Sequence, residues 1–229
     1  MNVLLQRYKQ VKGLLFFSYI KIVFEVRIFL GLPIYHVIGD SHATCFLHPS
    51  FVIHHIGPAT AYKLNFDKST TMGKEKVLKI LKSIYKQKKL DVIFVFGEID
   101  VRLHINKIAN QKNLPIDSLI NSTVDSYFEF LKYIKHKYPL INIYVFNILP
   151  QGEQGNIYNV PYYASRDKRT AIAAKMNKML KFYSEKEKYK FIDINNKLID
   201  STGRRKKEYI FDDVHFNRKI MKFVSEELK

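Results

Sequence analysis

The sequence predicts a single three-layer α/β/α domain with a parallel sheet, behind an N-terminal helical extension over residues 1–32. Three observations carry that reading. Five short apolar runs recur beyond residue 33, at 34–38, 51–56, 91–96, 141–148 and 190–194. Stripes at helical spacing lie between or after several of them: Val77, Ile80, Leu81 and Ile84; Leu119, Val124, Phe128, Leu131 and Ile134; Ala173, Met176, Leu180 and Tyr183; Ile220, Phe223, Val224 and Leu228. Continuous apolar strands alternating with amphipathic helices indicate a parallel sheet covered on both faces. Third, 229 residues with 47% apolar and 14% aromatic content suit one sizeable packed domain at 33–229. No internal repeat and no Pro/Gly/Ser linker divides it.

Residues 3–32 are apolar but interrupted by Arg7, Lys9, Lys12, Lys21, Glu25 and Arg27. The uncharged stretch Gly13 to Ile20 falls far short of the roughly 20 residues that span a bilayer. No small-x-small site follows it, so a cleavable signal peptide fits poorly. A basic amphipathic helix remains, either packed on the domain or lying on an anionic membrane. The expected location is cytoplasmic, peripheral to the inner membrane in the second case.

A net charge of +17 favours anionic partners. Much of it is spread lysine of the kind that forms a solvated face, with one dense run, Arg204-Arg205-Lys206-Lys207. No RNA-recognition, KH or zinc-finger pattern accompanies the charge, so nucleic acid is not the expected partner. The single cysteine, Cys45, excludes an internal disulfide framework and a cysteine-based zinc site. It lies four residues after Ser41 and reads as a small buried apolar side chain.

In a doubly wound sheet, ligands gather beyond the carboxyl ends of the strands. The first apolar run ends in Gly39-Asp40-Ser41-His42, and the last helix is preceded by Phe211-Asp212-Asp213-Val214-His215. A serine hydroxyl needs a base, and an imidazole serves if a carboxylate holds its other nitrogen. Asp212 and His215 are three residues apart, about one turn, so the carboxylate reaches the ring. Each motif alone is weak; together, at these two places in the topology, they point to nucleophilic catalysis. The stretches 57–62, 97–104 and 149–155 follow other strands and converge on the same rim. Tyr162, Tyr163, Arg166 and Arg169 follow a long loop that reads either as a substrate wall or as core. His54 and His55 alternate to opposite faces of a strand, so no metal site is expected. No Gly-x-Gly-x-x-Gly or P-loop is present and no cofactor is expected. The absence of Gly-x-Ser-x-Gly argues against the α/β-hydrolase fold.

The blocks at 39–42 and 212–217 resemble those of the SGNH, or GDSL-type, hydrolase superfamily. The resemblance implies a flavodoxin-like α/β/α sandwich. It also implies Ser41 as nucleophile, His215 as base, Asp212 as its orienting acid, and an oxyanion hole from the backbone N–H groups of Ser41 and Gly57. The strings at 54–64 and 96–105 are similar to SGNH-like proteins of bacterial surface-polysaccharide gene clusters. One departure stands out. The family's third block is Gly-x-Asn-Asp, whereas this chain reads Gly97-Glu98-Ile99-Asp100. Ile99 cannot donate to an oxyanion, and losing one such donor costs roughly 10²–10³ in rate. Either the enzyme is slow or a neighbour such as Arg102 or His104 replaces it. Glu98, Arg102 and His104 are expected to bind substrate, Arg102 through a sugar carboxylate or phosphate; Glu98 and Arg102 alternatively form a loop ion pair. The function expected is ester hydrolysis or O-acyl transfer on an acylated carbohydrate or anionic glycan. The rival is an inactive relative that binds an acidic polymer or an anionic membrane.

Overall fold

The computed structural model describes residues 18–86, 88–153 and 162–229. The part of the N-terminal extension before residue 18 and the stretch 154–161 lie outside the described residues. A helix, α1, spans 18–29. It is followed by β1 (Tyr35–Gly39), β2 (Phe51–His55), α2 (Gly73–Ile84), β3 (Leu90–Val95), α3 (Ile105–Lys112), α4 (Ile116–Lys137), β4 (Ile141–Phe146), α5 (Arg166–Lys186), β5 (Lys190–Ile192), the single turn α6 (Asn195–Leu198) and α7 (Met221–Glu227).

The five strands are all parallel in the order β2-β1-β3-β4-β5. The chain steps outward from β1 to β2, then crosses back to place β3 on the other side of β1. That reversal opens a crevice beyond the carboxyl ends of β1 and β3. The central strands β1, β3 and β4 are mostly buried and read as near-continuous apolar runs, whereas the edge strands β2 and β5 are partly exposed. Ile38, Val92, Phe94, Ile143 and Val145 point to one face and meet Val77, Leu81, Val124, Leu131, Met176 and Leu180 from α2, α4 and α5. Val37, Ile93, Val95 and Phe146 point to the other.

The second face is covered more thinly than the sequence pattern suggests. A 3₁₀ helix over Ser41–Phe46, short turns around Tyr209 and Ile220, and α7 close it. Of these, α7 matches the stripe at Ile220, Phe223, Val224 and Leu228, whereas the 3₁₀ helix and the turns are too short for a 3.6-residue stripe to register in the sequence. For the same reason α3 and the π-helical turn before it (Asp100–His104) were not legible. Among the described residues, no helix is long and apolar enough to cross a membrane.

Candidate active site

Ser41 follows β1 directly and opens the 3₁₀ helix. Asp40 caps that helix by accepting the His42 N–H at 2.8 Å. Gly39 has no room for a Cβ, which would lie 2.5 Å from the Val95 carbonyl and 2.8 Å from the Val95 Cβ. That close approach holds β1 against β3 at the crevice. Gly39 also pairs with His55 of β2, and its carbonyl accepts the Ile56 N–H at 3.0 Å, so the loops that carry Ser41 and Gly57 leave neighbouring strand ends. On the other side it pairs with Val95 of β3, whose carbonyl accepts the Asp40 N–H at 3.3 Å, so the loop that carries Gly97 leaves the adjoining strand end. Gly57 and Gly97 adopt φ of +85° and +108°, conformations that suit glycine.

The segment 210–217 brings the other two side chains. Ser41 Oγ lies 2.8 Å from His215 Nε2, and His215 Nδ1 lies 2.8 Å from Asp212 Oδ2. The Asp212 carboxylate also accepts the backbone N–H groups of Val214 (2.8 Å) and His215 (2.7 Å). Burial works against its charge, but these bonds, led by the His215 side chain, hold the carboxyl below its ordinary value. With Nδ1–H donated to Asp212, Nε2 is left to accept the serine proton.

Three anchors that the sequence did not disclose fix this turn. Arg205 Nη2 donates to the Asp213 carbonyl at 2.7 Å, so one member of the basic run is a buried clamp and not part of a solvated face. Gly152 packs so closely that a Cβ would fall 1.9 Å from the Asp213 oxygen. His42 is the third. Its Nε2 donates to the Val214 carbonyl at 3.2 Å, its Nδ1 faces Asp40 Oδ1 at 3.1 Å, and its ring lies against that of His215. Both of its partners are acceptors, so the ring carries two protons. Burial disfavours that charge, but the hydrogen bond and charge of Asp40, with Glu98 and the Val214 carbonyl, push its pKa up to about 9.

A groove of about 520 Å³ runs past Ser41 and His215, bounded by Thr44, Leu47, Phe211, Asn217 and Arg218. Cys45 lies beneath it, 5% exposed, with its S–H on the His42 carbonyl. Burial pushes its thiol pKa far up, consistent with a packing role. Glu98, Arg102 and His104 do not bound this groove. Glu98 Oε1 accepts from Arg102 Nε at 2.8 Å with both side chains largely buried, the loop ion pair that was one of the two sequence readings. His104 faces a separate cavity of about 250 Å³, walled by Tyr62, Lys63, Ile105, Ile108 and Leu119.

Ile99 is buried, 7% exposed. The next residue, Asp100, accepts the N–H groups of Ala61 (2.7 Å) and Tyr62 (3.3 Å), tying the loop after β3 to the loop that carries Gly57. Burial raises its pKa to about 7 against the pull of those N–H groups. Of the 162–169 group, Arg169 is buried, donates to the Gly152 carbonyl at 2.9 Å and stacks 4.3 Å over Tyr162. His54 meets His36 of β1, with Nε2 and Nδ1 2.9 Å apart. Among the described residues, no group of three or more His, Cys, Asp or Glu is placed to hold a metal ion.

Fold and geometry together define a class: a doubly wound α/β/α domain of the SGNH, or GDSL-type, hydrolase fold, with a serine, a histidine and an aspartate in hydrogen-bonding sequence at its crevice. Solved structures carry the comparison further. The chain is similar to a Streptococcus pneumonia protein provisionally described as a platelet activating factor (18% identity, TM-score 0.58, covering 100% of this chain and 98% of that one). It is similar to a GDSL-like lipase from Bacteroides thetaiotaomicron (13%, 0.55, 85% and 84%). It is also similar to Est24, a carbohydrate acetylesterase from Sinorhizobium meliloti (13%, 0.50, 86% and 96%). At these identities the likeness is one of fold. No protein-family model matches the chain, and no curated protein matches it.

Proposed function

We propose that this protein is a serine-dependent ester hydrolase acting on an O-acylated carbohydrate. The observation that carries the reading is the continuous relay Ser41–His215–Asp212, with both links at 2.8 Å. Ser41 Oγ attacks the ester carbonyl while its proton passes to His215 Nε2. The alcohol leaves with that proton, and the acyl group stays on Ser41. A water then gives its proton to His215, attacks the acyl carbon and releases the acid, and the proton returns to Ser41. Asp212 holds the imidazole in the tautomer both steps require. The backbone N–H groups of Ser41 and Gly57 are the proposed oxyanion donors.

Water is favoured over a sugar hydroxyl as acceptor because the groove is broad and open, and exclusion of water is what a transferase needs. A carbohydrate substrate is favoured by the groove wall. Phe211 is 75% exposed beside Ser41, and Thr44 and Arg218 bound the groove with it. An exposed ring next to polar side chains suits the apolar face and hydroxyls of a sugar better than an acyl chain, which calls for an enclosed apolar channel. The structural likeness to a carbohydrate acetylesterase supports the same class. The net charge of +17 favours an acidic glycan.

Intact-mass labelling with a fluorophosphonate probe tests the nucleophile. The wild type is expected to gain one adduct, with none on Ser41→Ala and little on His215→Ala. An unlabelled, folded wild type would overturn the reading in favour of an inactive binding protein, for which Ile99 would be the first explanation. Acetate release from O-acetylated glycans then separates hydrolysis from transfer.

A further inference from the structure

Helix α1 is apolar on two sides. Ile20, Val23, Phe24 and Arg27 form a half-buried side, with Arg27 Nη2 donating to the Pro33 carbonyl at 3.0 Å. Tyr19, Ile22, Val26 and Phe29, spaced by three and four residues, form a second stripe that stands in solvent. Phe29 is 89% exposed and Ile22 64%, and Leu30 and Leu32 continue the patch. Such a run of large exposed apolar side chains on one element calls for a partner.

We propose that this stripe seats α1 in the interface of an anionic bilayer. Charge decides between the two occupants an apolar stripe invites. A second copy would bring together two chains of +17 each, and the repulsion opposes pairing. An anionic surface gains from the same charge. The segment around the helix is itself suited to it: Arg7, Lys9, Lys12 and Lys21 precede Glu25, and no acidic residue occurs before it. Large apolar side chains next to lysines are the composition of helices that lie in the headgroup region. The attachment is remote from the chemistry. Helix α1 leads into the amino end of β1, whereas Ser41 follows its carboxyl end. The membrane reading therefore does not depend on the esterase reading.

Sedimentation of the full chain with vesicles tests it, comparing phosphatidylcholine alone with phosphatidylcholine containing phosphatidylglycerol. Wild type is expected to bind the anionic vesicles, to bind neutral ones weakly, and to be released as salt rises. The Ile22→Glu/Phe29→Glu double variant is expected to lose binding about tenfold or more. These side chains are exposed, so its thermal unfolding should match wild type. Equal binding by the double variant, or no preference for anionic vesicles, would overturn the proposal. So would a wild-type dimer in light scattering that becomes monomeric in the double variant without any vesicle binding, which would assign the stripe to a second copy.

Discussion

His42 and His215 place their rings 5.0 Å apart at a tilt of 36°, although only His215 belongs to the relay. The neighbour of the nucleophile thus supports the base from behind, through ring contact and through the Val214 carbonyl.

Against the cost of burial, the hydrogen bond and charge of Asp40 on His42 make stability depend on pH in a defined direction. The His42 pKa is raised from 6.5 to about 9 in the folded protein. Below 6.5 the folded and unfolded chains both hold the proton and the contribution is complete. Between 6.5 and 9 only the folded chain holds it, so stability falls as pH rises, by on the order of 3 kcal/mol in total. Urea unfolding at pH 6 to 9 should show this slope in wild type and a flatter profile in His42→Gln. A slope unchanged in the variant would assign the titration elsewhere.

Asp212 both orients His215 and caps its turn. Asp212→Asn is expected to lower the rate of p-nitrophenyl acetate hydrolysis by about 10³–10⁴, since an amide permits the wrong tautomer. The melting temperature should fall modestly, because an amide oxygen in the place of Oδ1 still accepts both the Val214 and the His215 N–H groups. In wild type the carboxyl sits below its ordinary 3.8. Its protonation therefore removes activity and this part of the stability only as pH falls below that value. A Asp212→Asn variant of near-normal rate would remove this residue from the mechanism.

Ile99 stands where an amide donor is expected. Ile99→Asn should raise kcat by about tenfold or more if the oxyanion site is otherwise formed by Ser41 and Gly57. Ile99→Ala, which adds no donor, should not. Equal kcat in wild type and Ile99→Asn would show that another group already fills the role.

Phe211 is pinned through its backbone N–H to the His215 carbonyl at 2.9 Å, which leaves its ring at the groove's lip. Phe211→Ala should raise KM for an O-acetylated oligosaccharide several-fold and leave hydrolysis of p-nitrophenyl acetate nearly unchanged. Parallel losses on both substrates would mean that the ring supports the turn and does not hold sugar.

Much of the fold was legible. The five strands start within one residue of the apolar runs, because the sheet's buried positions are filled by Val, Ile and Phe with few polar residues between them. Helices α2, α4, α5 and α7 were legible because each carries one apolar stripe through two or more turns. The relay residues were legible as types: Ser41 at a strand end, and an aspartate and histidine one turn apart before the last helix.

Their supports were not legible, because each depends on atoms far apart in sequence. Nothing local gives His42 a role beyond its place after Ser41; folding sets the Val214 carbonyl against its ring. Arg205 read as part of a basic run until its guanidinium met the Asp213 carbonyl, and Gly152 as a loop glycine until the same oxygen left no space for a Cβ. Arg102 and Glu98 read either as ligand binders or as a loop ion pair, and burial makes them partners of each other. Periodicity and strand-end position are local properties, and they determined the architecture and the kinds of chemical group at its crevice. Which of those groups turn toward Ser41, and which are consumed in holding the turn that carries His215, was decided by tertiary packing. Only there do buried charges and carbonyls find the partners that burial demands.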